Sequence, residues 1–421
     1  MQDGRLPAMR DVRMRGFRER TSVPVALAML SERVGPLAAE AVPLADAAGR
    51  VAAEDVSARA NVPHFARAAM DGFALVAASI TGASASLPIE IPILGDALPG
   101  RPFAGAIQPG QAVRITTGAP VPAGADAVLM AEHADEIDRD GARVLRAREP
   151  IASGKHVGAI GEDVRAGAIV VTRGRRLRPQ DLGVLASVGV PSIQAVRRPR
   201  VCIVITGDEL LPPGSMPEGP FIVDANSLML EALANRDGAA SVSIVRVRDR
   251  RELVRAAIAE APEEVVLVSG GSSVGPEDHA PLVLAEIGEV TVHGVAMRPS
   301  SPAGFGFFGE GRKQMAFLLP GNPVSCLCAY EFFAGPSIRV LGGLPRAWPH
   351  PRVRCRVKTK IASERGRTDY VRVKVEGDEV TPIMLSGASI LSSTTRADGV
   401  VIVGEGDAGH DEGEIVEVLL Y

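Results

Sequence analysis

Aromatic residues are scarce: one tryptophan, three tyrosines and eleven phenylalanines make up 4% of 421 residues. Positive charge is not in excess either, with Lys+Arg 46 against Asp+Glu 50 and a formal net charge of −4. The stacking platform and the basic footprint of a nucleic-acid binder are therefore both missing, and no nucleic-acid partner is expected. Cysteine is also rare. Cys202, Cys326, Cys328 and Cys355 fit neither zinc-type nor CxxC spacing, and the N-terminal segment has charges without an apolar stretch, which favours a reducing, cytoplasmic setting. No apolar run approaches the roughly 18 residues that span a bilayer, so no membrane role is expected. Arg5, Arg10, Arg13, Arg15, Arg18 and Arg20 make the start of the chain basic and read as a solvated lead-in.

The length suggests about three domains at roughly 150 residues each. The chain is organised around Glu263–Ala280, EEVVLVSGGSSVGPEDHA. Val265–Val268 is a continuous, mostly β-branched run that suits a parallel strand covered on both faces. Ser269-Gly270-Gly271-Ser272-Ser273-Val274-Gly275 then supplies small residues where backbone comes close to a ligand, and Pro276 is expected to open a helix running past Asp278. Strand, small-residue loop and helix start form an anion site. A carboxylate there, Asp278, would repel a phosphate-like anion unless a divalent cation lay between them, which points to Mg²⁺.

Around this stretch the chain changes rhythm several times. Ser22 is placed to cap an amphipathic helix over about Val23–Val34. Met70-Asp71-Gly72 reads as an Asp-Gly turn. From about Ala78 to Arg148 glycine and proline separate short apolar runs, as in a small β-rich domain, and Thr117 presents a hydroxyl on a loop held by Pro120 and Pro122. Glu162 and Asp163 precede a further turn. Pro179 starts another helix.

Beyond Arg197-Arg198-Pro199-Arg200 the chain alternates strand and helix. Val201–Ile205 and Val242–Val247 read as strands, Asn226–Asn235 as a helix, and Asp249 with Glu252 as a capping box for the next helix. This is the pattern of a doubly wound parallel sheet, where ligands bind beyond the carboxyl ends of the strands. Thr206-Gly207-Asp208-Glu209, the loop ending in Asp278, and Pro320-Gly321-Asn322-Pro323-Val324-Ser325 all lie there. After the Pro345–Pro351 boundary, period-two alternation indicates a closing antiparallel β-domain.

Two motifs compete with this reading. Gly304-Phe305-Gly306-Phe307-Phe308-Gly309 matches GxGxxG, but lies on a β-like segment with no helix to hold a pyrophosphate. Gly271-Ser272-Ser273-Val274-Gly275 matches the GxSxG elbow of a serine hydrolase, with His293, His350 and His410 downstream in no diagnostic setting. His279, beside the site, reads as a cap or surface residue.

Taken together, AAMDGFAL (Ala68–Leu75), RITTGAPVPAGADAV (Arg114–Val128), GEDV (Gly161–Val164), TGDEL (Thr206–Leu210), SGGSSVGPEDH (Ser269–His279) and LPGNPVS (Leu319–Ser325) resemble the molybdopterin molybdenumtransferase family, that of MoeA and the gephyrin E-domain. The resemblance implies a multidomain fold of α/β plus β type. An elongated N-terminal domain (1–58 and 152–195) is interrupted by a small β-rich domain (59–151), followed by a doubly wound MogA-like α/β domain (196–343) and a C-terminal β-barrel (346–421). It implies an elongated head-to-tail homodimer, in transient contact with a molybdopterin adenylyltransferase and with molybdoenzyme acceptors. The implied reaction is Mg²⁺-dependent insertion of molybdate into adenylylated molybdopterin, releasing AMP. By resemblance, Asp208 and Asp278 organise metal and pyrophosphate, while Glu162, together with Asp71 and Thr117 of the partner subunit, approaches the same cleft. Ser269, Gly270, Gly271, Ser273 and Gly275 cradle the anion. Pro320, Asn322, Pro323 and Ser325 belong to a neighbouring oxyanion pocket.

The family usually reads MKPGKP where this chain has Met297-Arg298-Pro299-Ser300-Ser301-Pro302. Arg298 keeps one charge, and its planar fork suits molybdate or phosphate; Ser301 removes the other. A carrier paralogue that binds without inserting metal is the alternative this departure leaves; a molybdopterin adenylyltransferase is a second, since the resemblance implies that such enzymes share the third domain, although they usually lack the AMDG and TGAPVP segments.

Overall fold

The protein is described by a computed structural model covering residues 19–272, 275, 278–384 and 387–421. The basic lead-in before Arg20, and Ser273, Val274 and Pro276 of the expected anion loop, lie outside the described residues. The chain divides into two compact units: Ala41–Ala195, and the described residues up to Glu40 together with Val196–Tyr421. Helix α1 (Val23–Arg33) has Pro24 in its first turn and buries Val23, Ala26 and Leu30.

Within Ala41–Ala195 the main sheet has six strands: β1 (Gly72–Leu75), β2 (Ile89–Ala97), β3 (Ala112–Ile115), β4 (Ala127–Met130), β5 (Ala134–Arg139) and β6 (Ala142–Ala147), in the order β4-β1-β3-β2-β6-β5. Asp71-Gly72 is not a turn. Gly72 begins a central strand paired on both sides, and a Cβ there would lie 1.9 Å from the Leu129 carbonyl oxygen. Glycine is required by close backbone approach rather than by chain reversal. Helix α2 (Pro179–Ser187) starts at proline, as its sequence indicates.

The second unit holds a six-stranded mixed sheet. Its strands are β7 (Arg200–Thr206), β8 (Ser241–Val247), β9 (Val265–Ser269), β10 (Gly288–His293), β11 (Gly304–Phe308) and β12 (Gln314–Leu319), in the order β8-β7-β9-β12-β11-β10. The first four run parallel, β11 is antiparallel to both of its neighbours, and β10 therefore runs in the direction of the first four. Alternate side chains of each parallel strand enter different cores. Val201, Ile203, Ile205, Val265, Leu267, Met315, Phe317 and Leu319 face one, shared with residues of α1, α3 (Asn226–Arg236), α6 (Pro323–Ala329) and α7 (Gly335–Leu341). Cys202, Val204, Val266, Val268, Ala316 and Leu318 face the other, with α4 (Arg251–Ala259) and α5 (Ala280–Ile287). Burial on both faces is why these strands read as unbroken apolar runs. A π-helical turn, Tyr330–Ala334, joins α6 to α7. That 19-residue stretch is long and apolar enough to cross a membrane, yet lies almost wholly inside the protein.

Gly304–Phe308 is a fully buried strand, and a Cβ on Gly306 would sit 1.9 Å from the Glu289 carbonyl oxygen. The GxGxxG glycines therefore serve strand pairing, not a dinucleotide. The chain closes with β13 (Arg352–Val357), β14 (Thr368–Glu376), β15 (Glu379–Met384), β16 (Gly399–Val403) and β17 (Ile415–Leu420). They pair in the cycle β14-β15-β13-β17-β16-β14, a closed five-stranded barrel.

Candidate active site

Loops from the carboxyl ends of β7, β8, β9 and β12 meet around one cavity of about 670 Å³. Thr206, Glu209, Asp249, Gly270, Asp278 and Asn322 are among the residues that line it, with Ser269, Gly271, Gly275, Pro320 and Pro323. Gly270, at φ +93°, is fixed by proximity: a Cβ there would lie 2.2 Å from the Thr206 carbonyl oxygen. Its N–H donates to the Leu319 carbonyl at 3.3 Å, and the Gly275 N–H donates to Asp278 Oδ2. Both amides are thus held by the protein, and Asp278 itself occupies the anion position at Gly275. The expected helix start at Pro276 is corrected: α5 begins at Ala280, so Asp278 lies in the loop before it. His279 takes the N-cap position without a side-chain cap bond, and its buried Nδ1 has no partner among the described residues. His293 Nε2 lies 3.0 Å from the Ser272 carbonyl oxygen, which can only accept, so Nε2 carries the hydrogen. Burial pushes the His293 pKa below its ordinary value, which favours the neutral ring that pins this loop.

Asp208 does not line the cavity and is exposed. Its backbone N–H donates to Asp249 Oδ2 at 3.1 Å, its Oδ1 accepts from the Asp249 N–H at 3.4 Å, and Thr206 Oγ1 donates to Asp249 Oδ1. Asp249 is therefore not the cap of α4. The N-cap is Arg250, and the Asp249 carboxylate instead ties the loop after β8 to the loop after β7. Asp224, also at the cavity, is buried and paired with Arg246 Nε at 3.2 Å.

A smaller cavity, about 270 Å³, is lined by Arg298, Ser300, Ser301, Ser325, Gly387 and Ala388, and shares Pro302, Pro320 and Asn322 with the larger one. Arg298 Nη2 donates to the buried carboxylate of Asp369, which also accepts from Arg367 Nε at 3.0 Å and Ser363 Oγ at 2.8 Å. Ser300, at φ +89°, adopts a conformation that favours glycine, and its hydroxyl donates to the Ser325 carbonyl at 2.8 Å. Ser389 Oγ donates to Asn322 Oδ1 at 3.0 Å, so a segment after the barrel strand β15 closes this wall.

In the other unit, Thr117 and Glu162 line a cavity of about 370 Å³ together with Arg67 and His156. Arg67 Nη2 donates to Glu162 Oε1 at 3.0 Å. The Thr117 hydroxyl donates to Asp71 Oδ1 at 2.8 Å, and its backbone N–H donates to the same oxygen at 2.7 Å, both residues being exposed.

The family-level comparison matches residues 21–189 to the MoeA N-terminal region (domain I and II), 202–340 to a "probable molybdopterin binding domain" and 354–421 to the MoeA C-terminal region (domain IV). The chain is 33% identical to the molybdopterin molybdenumtransferase of Bacillus subtilis over 389 residues, covering 90% of this chain and 89% of that one. It is 30% identical to that of Haemophilus influenzae over 400 residues, covering 93% and 96%. The chain belongs to the MoeA family. A crystal structure of a molybdopterin biosynthesis MoeA protein from Pyrococcus horikoshii superposes with a TM-score of 0.82 at 31% identity, covering 96% of this chain and 99% of that one.

For this MoeA-family chain, sequence reasoning passed over two site residues. Asp249 was hidden by its resemblance to a helix cap. Asn226 opens α3, lines the larger cavity and bridges two of its loops, and nothing local marks it out. The Asp71–Thr117 contact yields a direct prediction. The Thr117 N–H first, then its hydroxyl, holds the Asp71 carboxyl below its ordinary pKa. Thr117→Val removes only the hydroxyl donor, so the Asp71 pKa should move part of the way back up in an NMR pH titration. A depressed carboxylate pKa favours the folded state above its unfolded value, and that contribution is lost as pH falls through the folded value. The variant should therefore depend less on pH in the acid limb of its unfolding curve, and an unchanged Asp71 pKa would discount the hydroxyl contact.

Proposed function

We propose that the chain is a transferase of molybdenum cofactor biosynthesis that inserts molybdate into the dithiolene of adenylylated molybdopterin and releases AMP. One observation carries this reading: an acid-lined cavity large enough for a phosphorylated substrate shares the wall Pro302, Pro320 and Asn322 with a smaller pocket bearing Arg298. A substrate seated in the first can present its dithiolene across that wall to an oxyanion in the second. Mg²⁺ fits the donor set on chemical grounds. Among the described residues no three His, Cys, Asp or Glu side chains form a metal nest, while Asp249 and Asp278 line the cavity and a substrate pyrophosphate supplies further oxygens, the usual way Mg²⁺ is held. When bound, Mg²⁺ neutralises phosphate charge at the P–O bond that breaks. Asp278, Asp249 and, through its backbone, Asp208 orient that end of the site. The Gly270–Ser272 loop shapes it.

A head-to-tail homodimer, in which Asp71 and Thr117 of one copy approach the cleft of the other, belongs to the same reading. So do a cytoplasmic location and transient contact with the adenylyltransferase and with molybdoenzyme acceptors. The test is AMP release from adenylylated molybdopterin by the purified protein with Mg²⁺, with and without molybdate, scoring molybdenum-loaded cofactor in the same tube. Molybdate-dependent release supports the transferase. Formation of the adenylate from ATP would instead mark an adenylyltransferase. Tight binding without AMP release supports a carrier, the reading favoured by Ser301 and by the Asp369 carboxylate that already pairs with Arg298.

Arg298 is the cation that lines the smaller pocket, and its buried Nε has no hydrogen-bond partner among the described residues. Arg298→Ala is expected to raise the molybdate concentration for half-maximal rate by about tenfold or more, as loss of a charge-assisted contact does. Arg367 and Ser363 remain to satisfy Asp369, so the fold should persist. An unchanged molybdate dependence and rate would remove Arg298 from oxyanion capture.

A further inference from the structure

The larger cavity has an apolar side as well as its acids. Leu210–Leu211 and Ile222–Val223 form a short parallel pair, with Leu210 beside Ile222 and Leu211 beside Val223. The pair is fixed by backbone bonds: the Ile222 N–H donates to the Glu209 carbonyl at 2.9 Å and the Asp224 N–H to the Leu211 carbonyl at 2.9 Å. Successive side chains of a strand point to opposite faces, so Leu210 and Ile222 share one face and Leu211 stands on the other. Leu210 and Ile222 both line the cavity, and Leu211 does not. The shared face is therefore the one turned toward the cavity. Leu210 packs from there onto the main core, whereas Ile222 is 54% exposed and joins no core cluster among the described residues. An isoleucine left uncovered at a cavity wall gains from a ligand that brings an apolar face.

The substrate of the proposed function has two flat ring systems with such faces, the pterin and the adenine, and position separates them. Pro320 and Asn322, in the wall shared with the Arg298 pocket, follow β12; the Gly270–Asp278 loop follows β9; Leu210 follows β7. In the sheet order β7-β9-β12 the Leu210–Ile222 face thus belongs two strands, about 10 Å, from that wall. The dithiolene must reach the wall to receive molybdenum. The ring that carries it also carries the arm to the pyrophosphate, and the adenosine lies beyond that pyrophosphate. The pterin is fused to the edge of the ring opposite this arm, so it extends away from the β7 side while the adenosine extends toward it. We propose that the Leu210–Ile222 face seats the adenine of the adenylylated substrate and so determines specificity for its nucleotide end. The inference rests on the proposed function and deepens it.

The test is calorimetric binding by the full chain, with Mg²⁺ present, of three probes: AMP, ribose 5-phosphate, and molybdopterin without its adenylyl group. Ile222→Asn is expected to bind AMP about five- to tenfold more weakly, the scale of one aliphatic contact, and the other two within about twofold of wild type. Leu211→Asn, on the opposite face, should leave AMP within about twofold of wild type. Unchanged AMP binding by Ile222→Asn overturns the inference. So does equal weakening of ribose 5-phosphate, or equal weakening of AMP by Leu211→Asn, since either would mean that the pair only shapes the loop. Weakening of molybdopterin but not AMP would put the pterin on this face, and overturns it too. Should Ile222→Asn not fold, the wild-type chain decides alone: it should bind AMP about tenfold or more tightly than ribose 5-phosphate, and equal affinity overturns the inference. Ile222-dependent AMP binding by a chain that releases no AMP from adenylylated molybdopterin would overturn the transferase while supporting the adenine seat, so the two readings fail separately.

Discussion

Gly270→Ala is expected to destabilise the second unit by about 2–5 kcal/mol and to abolish pyrophosphate binding in whatever protein remains folded. Two terms combine. A left-handed conformation costs a non-glycine residue about 1–2 kcal/mol, and Gly270 sits at φ +93°. The added methyl would also lie 2.2 Å from the Thr206 carbonyl oxygen and 3.2 Å from its carbonyl carbon, a backbone group that cannot rotate away. Relieving such an overlap by shifting backbone costs about a further 1–3 kcal/mol. Thr206 ends β7, whose register with β9 carries Val204 beside Val268, so the shift propagates into the sheet. Urea unfolding measures the stability term and calorimetry with pyrophosphate the binding term. A variant with wild-type midpoint and affinity would show that the close approach of these two loops is not needed.

Much of the doubly wound sheet is legible because β7, β9 and β12 are buried on both faces and carry no polar alternation, while the half-exposed edge strand β8 is marked by its β-branched residues. Val201–Ile205, Val242–Val247 and Val265–Val268 fall within the strands Arg200–Thr206, Ser241–Val247 and Val265–Ser269. Of the apolar stripe Val23, Leu27, Leu30 and Val34, the first three fall on α1 and Val34 is its C-cap, one residue past the end. The errors share one cause, which is that a local pattern has a tertiary explanation. Asp249 and Glu252 have the spacing of a capping box, but Thr206 Oγ1 and the Asp208 N–H, some 41–43 residues earlier in the chain, attract the Asp249 carboxylate instead. Asp71-Gly72 has the composition of a turn, but the glycine is demanded by the neighbouring strand β4. Pro276 looked like a helix start because proline is welcome there. So is Pro281, which lies in the first turn of the helix that forms.

The candidate site was legible as a set of loops and less so as a set of contacts. Three of its loops were marked in advance by acids and small residues beyond strand ends, and the fourth, after β8, was concealed by Asp249. Thr117 stands out for its hydroxyl, whose bond to the equally exposed Asp71 is not visible in the sequence. Ser301 was marked as a lost charge. The companion change, Ser300 in place of the family's glycine, became meaningful only with its φ of +89° and its bond to Ser325. Asn226 could not be found from sequence, because an asparagine at a helix start is commonplace.

Asp278→Asn is expected to lower AMP release by about 100-fold or more, the scale on which preorganised charge contributes at a reacting phosphate. The substitution is chosen because it separates two roles. Asp278 Oδ2 accepts the Gly275 N–H, and an asparagine side-chain oxygen can accept the same bond, so the loop before α5 keeps its shape and the unfolding midpoint should stay at the wild-type value. The negative charge is what disappears, and with it an oxygen ligand strong enough for Mg²⁺. The concentration of Mg²⁺ for half-maximal rate should therefore rise along with the fall in rate. Asp278→Ala would not distinguish the roles, since it removes the charge and the loop bond together. If Asp278→Asn turns over at the wild-type rate with unchanged Mg²⁺ dependence, Asp278 is only the partner of the Gly275 amide. Cation organisation in the larger cavity would then fall to Asp249, the remaining proposed ligand that lines it and whose carboxylate both Thr206 and Asp208 hold in place.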